Sequence, residues 1–121
     1  MSRPTPGGQA PLAGRHVARI GYGAMQLERS DADRHGLVGL VRTAVELGVD
    51  HIDTAEFYGA ANAILREALT GHDHVVIATK VGADRTADGE LVLAQRPEQL
   101  RASLEANLRS CLLYTSDAAD E

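Results

Sequence analysis

Apolar residues recur at helical spacing in three segments of the 121-residue chain. The first segment predicts a helix whose apolar face consists of Leu37, Leu40, Val41, Ala44, Val45 and Leu47. A second helix is predicted over residues 60–69. A third begins at Pro97, a residue that suits the first helical position, and carries an i, i+4 stripe of Leu100, Leu104 and Leu108. The spacing therefore predicts three amphipathic helices.

Polar and glycine residues mark the ends of these helices. Ser30 with Asp33 resembles a capping box, in which the serine oxygen accepts a hydrogen bond from an otherwise unpaired backbone N–H at the helix start. Gly48 stands where a left-handed C-terminal cap is expected. Gly71 ends the second helix in the same way.

Shorter apolar runs predict strands between the helices. Residues 11–19 predict a hairpin that turns at Gly14, and residues 21–23 end a first strand. A second strand is predicted over residues 50–53. The β-branched run over residues 75–79 is typical of a strand buried on both faces. The loop over residues 82–96 carries an Asp88–Gly89 turn and is predicted to be a small excursion above the sheet.

Strands and helices thus alternate along the chain, an order that predicts an α/β fold with a parallel sheet and helical crossovers. Residues 1–10 are rich in proline and glycine and are predicted to form a flexible N-terminal tail. The composition, with 44% hydrophobic and 24% charged residues, is that of an ordinary soluble domain.

Charge and cysteine content exclude several classes of function. The net charge of -5, without a Lys/Arg cluster, argues against a nucleic-acid partner. A single cysteine, Cys111, allows neither a disulfide framework nor a multi-cysteine metal site. No segment approaches the roughly 20 apolar residues that a membrane span needs. We therefore expect a cytoplasmic protein with no membrane partner.

Three residues at predicted strand ends suit carbonyl reduction: Asp53, Tyr58 and Lys80. The carboxyl ends of parallel strands share one edge, so these residues can meet although they are distant in sequence. When hydride reaches a carbonyl carbon, an acid must supply a proton to the oxygen. An ammonium group beside a phenol stabilises the phenolate, and a carboxylate holds the ammonium group charged and oriented.

The motifs around these residues resemble the aldo-keto reductase family. Residues 47–59 resemble its signature, in which an Asp ends a strand and a Tyr follows five residues later. Residues 77–82 resemble the strand that delivers the catalytic lysine, and residues 21–25 resemble the first strand and loop. The match runs from about Val17 to Ser110 and comes closest to bacterial members of broad or unassigned substrate range, with a pyridoxal-type reductase as one candidate.

The resemblance implies a (β/α)₈ TIM barrel and reversible hydride transfer between NADP(H) and an aldehyde or ketone. It implies that Tyr58 is the proton donor, that Lys80 tunes its acidity and that Asp53 partners Lys80. The nicotinamide end of the cofactor would be lined by Gly23, Ala24, Met25 and Asp53. A small carbonyl compound would be the substrate, and the oligomeric state stays open.

A closed barrel takes about 250 residues, so residues 11–110 are interpreted as part of a barrel, about three βα units. The family's fourth catalytic residue, usually a histidine, and its phosphate-binding segments lie beyond these units. We therefore expect the chain to be inactive by itself. Two other interpretations stay open: a non-catalytic, cofactor-binding or regulatory relative with the same barrel, and a small stand-alone α/β domain.

Residues 111–121 resemble the in-frame translation of a transposase adapter used in DNA sequencing libraries. We interpret them as an artefactual tail and expect the natural gene to continue differently after Ser110. A genuine acidic C-terminal tail is the alternative.

Other polar residues are assigned ordinary roles. His72, Asp73 and His74 are interpreted as a polar loop rather than a metal pair, and no metal site is predicted. His51 is interpreted as a packing residue and Glu56 as a loop residue near the substrate entrance. Residues 21–23 are not a dinucleotide-binding fingerprint, because Gln26 stands where the third glycine belongs.

Overall fold

The computed structural model describes residues 3–29 and 33–111. Its strands are β1 (Gln9–Leu12), β2 (Arg15–Ala18), β3 (Tyr22–Gly23), β4 (His51–Asp53), β5 (Val76–Ala78), β6 (Ala83–Arg85) and β7 (Leu91–Leu93). Its helices are α1 (Met25–Arg29), α2 (Arg34–Glu46), α3 (Ala61–Ala68) and α4 (Pro97–Cys111). Among the described residues, no helix is both long and apolar enough to cross a membrane. The predicted artefactual tail lies outside the described residues, apart from Cys111 at the end of α4.

A three-stranded parallel sheet in the order β3–β4–β5 forms the centre of the fold. Gly23 pairs with Asp53, and Asp53 pairs with Ala78. The carboxyl ends of all three strands therefore lie at one edge. The middle strand buries Ile52 completely. The predicted parallel sheet is confirmed.

Helices α2 and α3 pack against each other, and α3 also packs against α4. The core between helices and sheet contains Ala24, Leu27, Leu37, Val38, Val41, Ile52, Ala61, Ile64, Leu65 and Ala68. Leu37 and Val41 come from the predicted apolar face of α2, and Ile64, Leu65 and Ala68 are apolar residues of the predicted second helix, so helical spacing identified half of this core. Leu40 and Leu47, also predicted on the α2 face, are instead 49% and 64% exposed, whereas Val38 is buried. Helix α1 was not predicted, because its five residues are too short for the spacing to register.

The cap of α2 differs from the predicted capping box. The helix begins at Arg34, and the carboxylate of Asp33 accepts a hydrogen bond from the backbone N–H of Gly36, at 2.6 Å. Asp33 is thus the N-cap itself, and Ser30 lies outside the described residues. The predicted C-terminal glycine is confirmed. Gly48 has a φ of 105°, and a side chain there would collide with the carbonyl group of Pro4.

An N-terminal hairpin of β1 and β2 begins at Gln9, inside the segment predicted as a tail. It turns at Ala13–Gly14 as expected, with φ values of 52° and 76°, the positive values that two-residue hairpin turns require. The backbone N–H of Ala18 donates to a carboxylate oxygen of the buried Asp50, at 2.7 Å. This hydrogen bond joins the hairpin to the strand β4 region.

The region after β5 differs from the prediction in two ways. Residues 82–96 contain a second antiparallel hairpin, β6–β7, in place of an irregular loop. Strand β5 itself is not covered on both faces: Val76 and Ile77 are half-buried, and Ala78 is exposed. The reason is position, since β5 is an edge strand of the described sheet.

Helix α4 begins at Pro97 as predicted, but its leucine stripe is not the most buried face. Leu104 is 38% exposed, whereas Asn107, three residues later, is completely buried. The helix therefore presents polar and small side chains to α3 and to the end of the sheet.

Candidate active site

Three side chains of the predicted site meet at the carboxyl edge of the sheet. The ammonium group of Lys80, two residues beyond β5, donates to Oδ1 of Asp53 at 2.9 Å. It also donates to the hydroxyl oxygen of Tyr58, at 2.9 Å, and to the carbonyl oxygen of Thr54, at 3.0 Å. The structure thus brings together residues that are up to 27 positions apart.

The charge on Lys80 is stabilised by these contacts. Burial lowers the pKa of Lys80, but the hydrogen bonds to Tyr58 and Asp53 together outweigh burial, and the pKa is raised above its ordinary value. The ammonium nitrogen also lies 4.6 Å from the centre of the Tyr58 ring. The side chains of Lys80 and Asp53 are 40% and 58% exposed, so a reactant can approach them. A persistent cation beside a phenol is suited to stabilising a phenolate.

The loop between β4 and α3 places Tyr58 over Lys80. The backbone N–H of Tyr58 donates to the carbonyl of Ala55 at 3.1 Å, and the carbonyl of Tyr58 accepts from Ala61 at 3.0 Å. Gly59 adopts a φ of 55° and lies against the side chain of Glu28, where a Cβ atom would approach Cγ to 3.2 Å. The turn therefore depends on glycine directly after the tyrosine.

A second ion pair, which the sequence analysis missed, supports the same loop. Arg85 in β6 contacts Glu28 of α1 at 2.8 Å. Its guanidinium group also donates to the carbonyl oxygens of Phe57, at 3.2 Å, and Gly89, at 2.9 Å. Arg85 thus joins α1 and the β6–β7 hairpin to the residue before Tyr58. Nothing in the local sequence indicates this pairing, because its partners come from separate elements.

A buried polar network, also missed, lies behind Lys80. Asn62 of α3 is 3% exposed and Asn107 of α4 is fully buried. The two side chains hydrogen-bond to each other at 3.2 Å and reach the threonines that follow β4 and β5, Thr54 and Thr79. One signal was present in the sequence: Asn62 interrupts the apolar face of α3, three residues before Leu65.

The residues expected to line a cofactor lie at the same edge, but they contribute differently. Gly23 faces open space, since a Cβ atom there would meet nothing within 4 Å. Met25 is 39% exposed. Ala24 is fully buried in the core, and its N–H donates to the carbonyl of Asp53 at 2.8 Å. Gly23, Met25 and Asp53 therefore leave exposed surface at this edge, whereas Ala24 contributes only its backbone.

The remaining polar residues lie apart from this cluster. The ring of His51 packs against the backbone of Gly21, where a side chain would collide with it. The rings of His72 and His74 lie edge-on to each other, with 5.9 Å between their centres. Within the described ranges, no group of three or more His, Cys, Asp or Glu residues could hold a metal ion. Glu56 lies with Asp84 at an open cleft of about 270 Å³.

The model of the aldo/keto reductase family matches residues 19–118, a range that includes most of the segment resembling translated adapter. Pyridoxine 4-dehydrogenase of Escherichia coli K12 is 40% identical over 117 residues, which cover 90% of this chain. The chain spans only 41% of the length of that relative.

Solved structures agree. A Pseudomonas aeruginosa protein assigned to the aldo-keto reductases superposes with a TM-score of 0.76 at 32% identity, over 86% of this chain and 42% of that one. An aldo-keto reductase from Klebsiella pneumoniae in complex with NADPH gives a TM-score of 0.64 at 24% identity, over 93% of this chain and 36% of that one. The predicted fold, part of a (β/α)₈ barrel, is confirmed.

Proposed function

Because the chain belongs to the aldo/keto reductase family, we propose that it forms the catalytic edge of an enzyme that transfers hydride reversibly between NADP(H) and a small aldehyde or ketone. The observation that carries this proposal is the Lys80 ammonium group, held between Asp53 and Tyr58 by two hydrogen bonds of 2.9 Å. A solved relative holds NADPH, which supports the choice of cofactor.

Each of the three residues has a distinct role in this proposal. The hydride that reduces the carbonyl carbon would come from NADPH when it is bound. As the C=O electron pair moves onto oxygen, the Tyr58 hydroxyl transfers its proton to that oxygen and becomes a phenolate. Lys80 stabilises the phenolate through its positive charge, and Asp53 keeps Lys80 oriented. In the reverse direction the phenolate takes the proton back.

The cofactor would contact the open side of this cluster. We place its nicotinamide end against the exposed backbone of Gly23, the side chain of Met25 and the carboxylate of Asp53. Ala24 contributes only backbone atoms, because its side chain is buried. The phosphate groups would be held by parts of the barrel other than these.

The substrate is proposed from the E. coli relative. That protein is named for pyridoxine oxidation, so pyridoxal with NADPH is the first substrate to test. The reaction would reduce the aldehyde carbon of pyridoxal to the alcohol of pyridoxine.

Replacement of Tyr58 by Phe tests the function directly. The protein to use is a completed barrel, meaning residues 1–110 of this chain joined to the remaining barrel of the E. coli relative. We expect Tyr58→Phe to reduce kcat by about 10²–10⁴-fold, the usual contribution of a general acid. NADPH affinity, measured by fluorescence titration, should change little.

Tyr22→Phe is the matched control, since Tyr22 is a half-buried tyrosine packed against the core. It should retain wild-type turnover. Unchanged turnover in Tyr58→Phe would refute the proposed proton donor. NADPH binding without turnover in the parent barrel would instead favour a non-catalytic, cofactor-binding relative.

A further inference from the structure

We propose that the buried asparagine pair, Asn62 and Asn107, acts as a positioning element that holds Lys80 in register with Asp53 and Tyr58. This inference rests on the proposed function, because it assigns a role to the surroundings of the proposed catalytic lysine. The pair lies in α3 and α4, and Asn107 contacts the backbone carbonyl of Lys80 rather than its ammonium group.

The side chain of Asn107 satisfies all its hydrogen-bonding capacity within the described residues. Its oxygen accepts from the hydroxyl of Thr79, at 2.6 Å, and from the amide of Asn62, at 3.2 Å. Its amide nitrogen donates to the carbonyl oxygens of Lys80, at 3.4 Å, and Ser103, at 3.1 Å. Two acceptor and two donor contacts define one orientation of the amide.

Asn62 extends the network to the neighbouring strand end. Its side-chain oxygen accepts from the hydroxyl of Thr54 at 2.8 Å. Its amide nitrogen donates to Asn107 and also to the hydroxyl of Ser110, at 3.0 Å. The pair therefore bridges the residue after β4 to the residues after β5.

The bridge forms a closed path through Lys80. The lysine ammonium group donates to the backbone carbonyl of Thr54, while the Thr54 hydroxyl leads through Asn62 and Asn107 back to the carbonyl of Lys80. The two ends of Lys80, its backbone and its charged group, are thus held from the same network.

This support is needed because the regular pairing of the strands ends before Lys80. The register of β4 and β5 ends at Asp53 with Ala78, and the hydrogen bond from Thr54 N to Ala78 O follows it. Beyond that point the side chains of Thr79, Asn62 and Asn107 connect the segment that follows β4 to the segment that follows β5. A shift of about 1 Å at a reacting group can cost about 10²-fold in rate.

A role in stability alone does not explain why two asparagines are buried here. Two leucines in these places would bury apolar surface without requiring any partner, which is ordinarily the more stabilising choice in a helix interface. Buried amides contribute orientation in exchange for that stabilisation. Here every oriented bond leads to a residue that flanks the proposed site or to the adjoining turn of α4.

Thr54→Val in the completed barrel tests the proposal with the smallest change. It removes the hydroxyl that contacts Asn62 and leaves the backbone carbonyl that accepts from Lys80. We expect kcat to fall by up to about 10²-fold, with NADPH affinity by fluorescence within twofold of the parent. Thr54→Ser restores the hydroxyl and should recover most of kcat. Asn107→Leu should give the larger loss.

A second measurement reports on Lys80 independently of turnover. Lys80 is the only lysine among the 121 residues, and its acetylation by acetic anhydride can be followed by peptide mass spectrometry at pH 8. Loosened contacts leave more of the amine neutral, which accelerates acetylation about tenfold for each unit of fall in its pKa. Thr54→Val and Asn107→Leu should both acetylate faster than the parent, and Thr54→Ser should not.

Thr70→Val is the matched control, because among the described residues the Thr70 hydroxyl hydrogen-bonds only to the carbonyl of Arg66, at 3.1 Å, at an exposed helix end. It should leave kcat and acetylation unchanged. If Thr54→Val also leaves both unchanged, the positioning role is overturned, and this outcome decides the matter even when Asn107→Leu fails to fold. If Tyr58→Phe keeps full turnover, the proposed function fails separately, while acetylation still shows whether the network holds Lys80.

Discussion

The ammonium group of Lys80 is shared among three oxygen atoms of different kinds: a carboxylate, a backbone carbonyl and a phenol. Asp53 and Thr54 follow one another in the chain, whereas Tyr58 comes from the next turn. An arginine could not replace this lysine simply, because a planar guanidinium group presents a fork of donors rather than one compact charge. The residue type is therefore tied to the geometry of the site.

The raised pKa of Lys80 predicts how its contribution depends on pH. Its contacts favour the charged form, so they stabilise the folded state fully below the ordinary value of 10.5. That contribution is lost as the pH rises through the higher folded value. The stabilisation that Lys80 contributes, measured as the difference in unfolding free energy between the parent barrel and Lys80→Met, should therefore stay constant from pH 7 to about 9.5. It should decrease above about pH 10.5.

Denaturant unfolding at several pH values measures this difference. A difference that already declines between pH 7 and pH 9 would contradict a raised pKa. The same titration on Arg66→Met, a variant of an exposed residue in α3, controls for effects of pH on the barrel as a whole.

At the scale of elements, helix α2 shows which features the local sequence determines and which the tertiary structure determines. Its buried residues are Leu37, Val38, Val41 and Val45. Spacing predicted three of these four, missed Val38, and placed the exposed Leu40 and Leu47 on the apolar face. The predicted capping box placed the start of the helix at Ser30. The N-cap is instead Asp33, whose carboxylate accepts the hydrogen bond that a capping serine would accept. A cap at Ser30 or at Asp33 would each satisfy unpaired backbone N–H groups at the helix start. Only the path of the backbone determines which residue is the cap.

The Asp33 cap predicts a measurable loss of stability. Asp33→Ala should lower the unfolding free energy of the completed barrel by about 1 kcal/mol, the typical contribution of an N-cap. Asp33→Ser should recover most of that loss because serine is also a good cap. Turnover should not change, since the Asp33 carboxylate caps the backbone of α2 and is not among the contacts of Lys80. Asp73→Ala, in the exposed loop before β5, is the control, and an equal loss in that variant would argue against the cap.

For the molecule as a whole, the parallel sheet brings the proposed catalytic residues to one edge but does not enclose them. Strand β5 is half-buried, and strand β7 exposes Leu91, Val92 and Leu93. The chain spans 41% of the length of its E. coli relative. The proposed phosphate contacts of NADP(H) thus have to come from other parts of a barrel.

This division predicts different behaviour for the chain and the completed barrel. We expect the 121-residue chain to show neither NADPH binding by fluorescence titration nor NADPH oxidation with pyridoxal. The completed barrel should show both. Saturable binding by the chain alone would contradict this prediction and would favour a stand-alone domain.

Helical and strand periodicity in the sequence was enough to predict the parallel sheet, three helices and the strand ends that carry Asp53 and Lys80. These features are local, because a period of two or 3.6 residues is set by the backbone geometry of each element. The proximity of Asp53 and Tyr58 is also nearly local, since five residues and one turn separate them.

Only the tertiary structure decided what surrounds Lys80. The positions of Asn107 and Arg85 depend on which faces of separate elements meet, and no period within one element carries that information. The leucine stripe of α4 was visible in the sequence, but the fully buried side chain is Asn107. The physical reason is that a buried amide is stable only where partners from other elements satisfy its hydrogen bonds, and those partners come together only when the chain folds.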